Sequence, residues 1–269
     1  MQVISLCNIK KKINSHKKFN NLKLKENIVK FSDSKKNINI SSGVYLFDKS
    51  IFKFFKKKII SLENDIIFNL IKKEKIKGII KKNNFFIDID TPQDFKKTEK
   101  KLFQLFYKPA IFLDRDNTIN IDKGYTHKIV NFKFKIKMLN FLKKVKKNYH
   151  LFIITNQAGI AHGIFKTKDL IKLHRYIKKF LYSNNKKTFI NDLRYCPFHP
   201  KAKLKKYRKK SLFRKPGNLM IEDLFKTWLI NRKKSFFIGD QIKDKIAAMK
   251  SNIKFVWANE KLNKKIPIN

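Results

Sequence analysis

From residue 110 onward the chain repeats one pattern, and that pattern restricts its fold more than any other feature. Short runs of Ile, Leu, Phe and Val alternate with longer segments whose apolar residues recur at helical spacing. "AIFLD", "HLFIIT", "FINDLRYC", "SFFIGD" and "IKFVW" read as strands. Between them lie expected helices at 136–147, with Leu139, Leu142 and Val145 inward, and at 167–182, with Leu170, Leu173, Ile177 and Phe180 inward. Two more are expected at 217–230, facing in with Ile221, Leu224, Phe225 and Trp228, and at 242–250, with Ile242, Ile246 and Met249. Such alternation predicts a Rossmann-like α/β domain, a parallel sheet with helices on both faces. Ligands of open sheets of this kind bind beyond the carboxyl ends of the strands.

That rule gives meaning to the residues that end each run. Asp114 and Asp116 follow the first run in "AIFLDRDNTIN", Thr155 ends the second, and Asp240 ends a later one. "FRKPG", before the 217–230 helix, brings Arg214 and Lys215 to the same rim. An Asp-x-Asp pair on its own is most often a solvated turn. Four such pieces at the ends of different elements are harder to obtain without a site. Carboxylates and cations collected on one edge suit a magnesium ion and a phosphoryl group, because hard oxygen ligands hold Mg²⁺ while substrate phosphate completes its shell.

Composition restricts the alternatives. The chain has 269 residues, enough for two ordinary domains, and 26 phenylalanines with 42% hydrophobic residues can fill a core. Two cysteines, Cys7 and Cys196, give no disulfide framework. No apolar run approaches the ~18 residues of a membrane helix, and "MQVISLCNIKKK" lacks the layout of a signal peptide. A soluble, cytoplasmic protein without membrane contact is expected. The formal charge of +45 invites a nucleic-acid partner. However, the lysines are scattered along the chain, and only six arginines are present, so no specific nucleic-acid partner is expected. Lys, Asn, Ile and Phe are abundant together, which fits a drift toward A- and T-rich codons.

"DRDNT", "TNQ", "RKP" and "GDQIKD" resemble the motifs of the haloacid dehalogenase superfamily of phosphatases. "FLDRDNTINIDKGYTHK" and "TNQAGIAHG" are similar to its heptose bisphosphate phosphatases and, less closely, to its histidinol-phosphate phosphatases. The resemblance spans about 110–257 and implies a minimal cap and a phosphorylated sugar as substrate, in the synthesis of heptose nucleotides for surface polysaccharide. It implies Asp114 as nucleophile, Asp116 as general acid and base, and Thr155 and Lys215 balancing charge on the transferring oxygens. Magnesium would be held by Asp114, Asp240 and the carbonyl of Asp116. The substrate would be lined by Arg115, Asp122, Lys123, Gly124, Tyr125, Asn156, Gln157, Ala158 and Arg214. Asn117 replaces the usual Gly, a tolerated change where φ is positive. Gln241 and His162 replace a usual Lys and Arg. A non-catalytic basic remnant is the rival outside this class, and the intact Asp114, Asp116, Lys215 and Asp240 argue against it.

Relatives often clamp a loop with zinc through Cys-x-His and Cys-x-Cys. Here Cys196 keeps the first place, but Phe198, Ser211 and Phe213 stand at the other three, with His199 one residue displaced. No zinc is expected. The loop "KAKLKKYRKK" is expected to stay loose through self-repulsion until a phosphorylated substrate orders it.

Residues 1–107 are expected to form a separate, mixed α/β region. Its strands are "VISL", "NIVKF", "GVYLF" and "NFFIDI". A helix capped by Thr91 and Asp94 follows, with Phe95, Leu102 and Phe106 inward, and the domain boundary falls near Pro109. "SSGVYLFDKSIF", "SLENDIIFNLI" and "FFIDIDTPQDF" resemble the C-terminal half of sugar-phosphate nucleotidyltransferases, with Asp88 at that family's later metal-binding position. The resemblance implies a partial, non-catalytic region, and a separate chain as a candidate source of the missing half.

Overall fold

The computed structural model describes residues 2–9, 22–32, 38–55, 61–81, 89 and 91–268. Asp88, and the expected strand 84–89 except Ile89, lie outside the described residues. Contacts within the chain divide it into two compact units, 1–95 and 96–269.

In the first unit, β1 (Gln2–Ile9), β2 (Leu22–Lys25), β3 (Ile28–Phe31), β4 (Ile38–Leu46) and β5 (Ile76–Lys81) close into a barrel in the order β1-β4-β2-β3-β5. Closure pairs every edge. The β1–β5 pairing is parallel and the others antiparallel. Helix α1 (Phe68–Lys72) adds Leu70 and Ile71 to a core with Leu22, Val29 and Ile76. The β2–β3 hairpin turns on Glu26 and Asn27, both at positive φ, as its two-residue loop requires.

Helix α2 (Pro92–Phe106) spans the division between the units. Its start is as expected: the Asp94 amide donates to Thr91 Oγ1 at 3.1 Å, and the Thr91 hydroxyl donates to the Asp94 carboxylate at 2.7 Å. Its expected inner face is not realised. Phe95 and Phe106 are exposed, Leu102 is half-buried, and Thr98 is the residue that is buried. Apolar spacing makes a stripe, but the described elements do not cover this one.

The second unit is a five-stranded sheet ordered β10-β9-β6-β11-β12. Its strands are β6 (Ala110–Leu113), β9 (His150–Asn156), β10 (Asp192–Cys196), β11 (Phe236–Gly239) and β12 (Lys254–Trp257), all parallel. A short antiparallel hairpin, β7 (Asn120–Ile121) and β8 (Lys133–Phe134), leaves the sheet just after Asp116. Helices α3 (Ile136–Val145) and α5 (Thr167–Asn184) cover one face, packing Leu142, Val145, Leu173 and Ile177 on Ile111, Leu113, Leu151 and Ile153. Helices α6 (Leu219–Thr227) and α7 (Ile242–Lys250) cover the other, packing Ile221, Leu224, Ala247 and Ala248 on Phe112, Phe152 and Phe237. Because both faces are covered, the strands read as unbroken apolar runs rather than alternating ones. Two short helices complete the unit, α4 (Ala158–Ala161) after β9 and α8 (Leu262–Lys265) near the end.

Two expected details differ. Helix α6 is shorter than 217–230, and Trp228 is already in extended backbone at its C-cap. Helix α7 is turned to the opposite face: Ile242 and Met249 are 61% and 65% exposed, while Asp244, Ala247 and Ala248 are buried. The cause is close packing at the end of β11. A Cβ on Gly239 would lie 2.6 Å from Cβ and Oδ2 of Asp244, so small residues and one carboxylate, not the branched side chains, fit beneath the helix. Gly239→Ala should therefore push α7 away and cost about 1–3 kcal/mol, as overpacking does. Thermal and urea melts of the variant measure this, and an unchanged midpoint would disprove the close approach.

Candidate active site

The parallel sheet carries Asp114, Thr155 and Asp240 to one rim, each at the carboxyl end of its strand. Asp114 is 4% exposed; the Arg115 amide donates to its Oδ1 at 2.8 Å, and its own amide donates to the carbonyl of Ile238 at 3.0 Å. The nucleophile candidate is thus fixed by the neighbouring strand.

Lys215 enters from the loop before α6 and is 2% exposed. Its Nζ lies 2.7 Å from Oδ1 of Asp114 and 2.7 Å from Oδ1 of Asp244, and donates to the Ile154 carbonyl at 3.1 Å. Asn156 holds its backbone, accepting from Lys215 N and donating to Lys215 O, both at 3.0 Å. Burial alone would discharge this lysine, but the two carboxylates outweigh it and raise its pKa. Burial, with the Asp244 and Asp116 charges, pushes Asp114 up to about 7 against the pull of Lys215. Burial, helped by Asp244, also raises Asp240, whose Oδ1 is buried without a hydrogen-bond partner.

Asp114, Asp240 and Asp244 each place a carboxylate oxygen within 4.8 Å of the others. Crowded, costly carboxylates with an orphaned oxygen fit a hard divalent cation. Asp244 was not among the candidates from sequence. Its signal was present in "GDQIKD": an aspartate four residues after Asp240, one helical turn away, can return to the same point. Its other oxygen accepts from the Gln241 amide at 3.1 Å, which caps α7 and fixes the side chain.

Asp116 is not one of these three carboxylates. Arg115 grips it with a fork, Nε on Oδ1 and Nη2 on Oδ2, both at 2.9 Å, and Gln157 Nε2 donates to Oδ2 at 3.0 Å. The same Gln157 group donates to Thr155 Oγ1 at 2.8 Å. Arg115, expected to line the substrate, is instead fully buried, donating also to the Thr126 carbonyl at 2.8 Å and facing His174 Nε2 at 3.4 Å. Asn156 and Gln157 likewise use their amides on protein groups. The guanidinium's planar fork matches a carboxylate better than it could match water at that depth.

The segment after Asp116 is a built loop. Asn117 has φ 54°, as its substitution for Gly requires, and its Oδ1 accepts from the Asp122 amide at 3.0 Å. Asp122 gathers the amides of Gly124 and Thr126, so its role is to shape the loop that presents exposed Lys123 and Tyr125. Ala158 begins α4 beside Gln157, and Arg214 is half-buried with Nη1 donating to the Phe198 carbonyl at 3.4 Å.

The basic loop differs from expectation. Arg208 donates to the carbonyls of Ala202 and Lys203 at 2.7 and 3.1 Å, the Leu204 amide donates to Ala161 O at 3.0 Å, and Lys209 lies 4.1 Å above the Phe198 ring. These contacts close the loop despite its charge, because its carbonyls and rings accept what its cations donate. Cys196 is buried, which raises its pKa, and the His199 ring lies 5.1 Å from that of His162.

His174 yields a pH test. Burial, then Arg115 and Lys178, lower its pKa to about 3, against ~6.5 in an unfolded chain. Between these values the unfolded state binds the extra proton, so stability falls as pH drops, by up to about 1.4 kcal/mol per unit. From pH 7 to pH 5 the protein should lose more stability than its His174→Gln variant, by up to about 2 kcal/mol in urea melts. Equal losses would show that His174 does not carry this acid sensitivity.

A family profile described as Polynucleotide kinase 3 phosphatase matches residues 108–265. The D-glycero-beta-D-manno-heptose-1,7-bisphosphate 7-phosphatase of Photorhabdus laumondii is 38% identical over 146 residues, 54% of this chain and 77% of the relative. The enzyme of the same description from Escherichia coli K12 is 34% identical over 146 residues, 54% of this chain and 75% of that one. Among solved structures, a HAD-like phosphatase from Mesorhizobium loti matches with a TM-score of 0.51 at 24% identity, over 55% of this chain and 70% of that one, which speaks for the fold. The chain therefore belongs to the polynucleotide kinase 3 phosphatase family and to the family of D-glycero-beta-D-manno-heptose-1,7-bisphosphate 7-phosphatases.

Proposed function

We propose that this protein removes the 7-phosphate of D-glycero-D-manno-heptose 1,7-bisphosphate through a phosphoryl group carried on Asp114. The observation that carries the reading is the buried cluster of Asp114, Lys215, Asp240 and Asp244 at the strand ends, in a chain whose relatives bear that activity in their names. Phosphate monoesters hydrolyse so slowly unaided that accelerations reach ~10²¹-fold. Splitting the reaction into two displacements at a carboxylate lowers the barrier.

Asp114 attacks phosphorus, with its Oδ1 held by Lys215 and the Arg115 amide so that the carboxylate cannot rotate. Lys215 and Thr155 offset charge on the transferring oxygens. Asp116, turned by Arg115 and Gln157, gives a proton to the leaving sugar oxygen and takes one from the water that frees Asp114. Asp114, Asp240, Asp244 and the Asp116 carbonyl would hold Mg²⁺, which when bound supplies positive charge at the phosphoryl oxygens. Lys123, Gly124, Tyr125, Ala158 and Arg214 form the wall toward the sugar, and no zinc is part of the working protein.

The reading extends to the whole chain. Residues 1–107 form a partial nucleotidyltransferase-like region without its own catalysis, a boundary supported by the family match beginning at residue 108. A separate nucleotidyltransferase chain is a candidate partner, the setting is the cytoplasm, and nucleic acid is not a specific partner. No helix among the described residues is long and apolar enough to cross a membrane.

Steady-state kinetics on heptose 1,7-bisphosphate and histidinol phosphate, side by side, test the assignment. The first should be preferred at least tenfold in kcat/KM, EDTA should abolish turnover, and Mg²⁺ should restore it. Preference for histidinol phosphate, or full activity in chelator, would overturn it. Asp114→Asn should cost about 10⁴-fold or more in kcat while the protein stays folded, because Asp244 and the Ile154 carbonyl still hold Lys215. Asp116→Asn should cost about 10²–10⁴-fold, and less with a leaving group that needs no proton. Phosphate trapped on any residue but Asp114 would refute the nucleophile.

A further inference from the structure

The cation that grips Asp116 is itself gripped. Arg115 is fully buried, and its three guanidinium nitrogens all have acceptors. Nε and Nη2 take the two oxygens of Asp116 at 2.9 Å, and Nη2 also donates to the Thr126 carbonyl at 2.8 Å. Nη1 lies 3.4 Å from Nε2 of His174, its one acceptor among the described hydrogen bonds. A guanidinium has no lone pair to offer, so Nε2 accepts and the ring proton of His174 sits on Nδ1.

His174 is out of place by pattern. It stands on the face of α5 that buries Leu170, Leu173, Ile177 and Leu181, and it is itself 7% exposed. A leucine there would pack without taking a ring nitrogen out of water. The ring meets Tyr195 edge-on, with 6.1 Å between centroids, and Tyr195 packs on Ile160, Phe165 and Leu170. Both α5 and β10 therefore hold it. Burial, then the charges of Arg115 and Lys178, keep the ring neutral, so the Nε2 lone pair stays available.

The Thr126 carbonyl and His174 thus anchor the guanidinium at the groups that Asp116 does not fill, and its fork cannot turn away from the carboxylate. Asp116 keeps 23% of its side chain exposed, so without the fork it has room to rotate toward water. We propose that His174 is a positioning residue for the phosphatase reaction, acting through Arg115 to keep the Asp116 carboxylate aimed at the leaving oxygen. It touches neither substrate nor reacting atoms. The proposal rests on the reading of Asp116 as general acid and base. A histidine that only fills the core would not distinguish one leaving group from another, whereas a positioning one matters where a proton must be delivered.

The test compares His174→Phe, which keeps a ring but offers no acceptor, with His174→Gln, which restores one. On heptose 1,7-bisphosphate, His174→Phe should lose about 10–100-fold in kcat with KM within about twofold. With 2,4-dinitrophenyl phosphate, whose leaving group needs no proton, single-turnover release should stay within about twofold of wild type. His174→Gln should recover most of the loss. Equal losses on both substrates, no loss on either, or no recovery with Gln would overturn the proposal. Asp116→Asn, run alongside, separates the two levels. If it too ignores the leaving group, the reading of Asp116 fails and the proposal with it. If Asp116→Asn discriminates and His174→Phe does not, the positioning role alone fails. Nitrogen NMR of the histidine-labelled wild-type chain decides the matter even if His174→Phe does not fold. His174 should show an unprotonated Nε2 and a protonated Nδ1, and a proton on Nε2 would overturn the proposal, because Arg115 cannot accept it.

Discussion

The ammonium of Lys215 is the interaction on which the second unit's active end depends. Taking a charge out of water costs several kcal/mol per ion even after relaxation, and this one is 2% exposed. It is tolerated because Asp114 and Asp244 each lie 2.7 Å away and the Ile154 carbonyl takes a third bond. Those partners come from β6, α7 and β9, so the ion pair fixes three elements of the sheet layer at once. Breaking it from either side would leave the other charge buried and unpaired. Three carboxylates against one ammonium leave an excess of negative charge, and that excess is what a divalent cation would neutralise.

The same arrangement explains what could and could not be read from the chain. The strands were legible because burial on both faces leaves unbroken apolar runs, and the rim residues were legible because each such run stops at a polar residue. The inner face of α7 was not. Amphipathic reasoning assigns Ile242, Ile246 and Met249 inward, since it assumes that a charged residue faces water. Asp244 violates that assumption because Lys215 waits beneath the helix, and Gly239 leaves room for it. Arg115 was misplaced for the same reason. Charge alone suggests a hand extended to substrate, whereas its partners, Asp116 and the Thr126 carbonyl, lie inside the protein. Sequence pattern locates the apolar side of an element well, and it fails where two buried charges satisfy each other across distant segments.

The basic loop shows a related limit. Counting lysines in "KAKLKKYRKK" predicts repulsion, but counting does not see acceptors. Backbone carbonyls of Ala202 and Lys203 and the faces of Phe198 and Tyr207 receive the cations of Arg208, Lys209 and Lys206. Such contacts are modest individually. They are local, however, and several close together suffice to give a short segment one shape.

The charge balance becomes informative when it is read from the minority side. With 65 basic residues and 20 acidic ones, a carboxylate is the scarce group. Where carboxylates remain, many have a backbone donor or a buried cation to serve. Asp48 accepts from the Ser50 amide, Asp65 from Ser61, Asp94 from the Thr91 hydroxyl, Asp122 from Gly124 and Thr126, and Asp169 from Lys166. Glu222 takes both arms of Arg232. Lysine cannot stand in at any of these points, because an ammonium has no lone pair to offer an N–H. These acids thus mark places where the fold requires an acceptor, as buried Lys215 marks one where it requires a cation. In that light the high positive charge says little about a partner. The concentration of three carboxylates on one rim of the sheet, in a chain so short of them, says a great deal about the site.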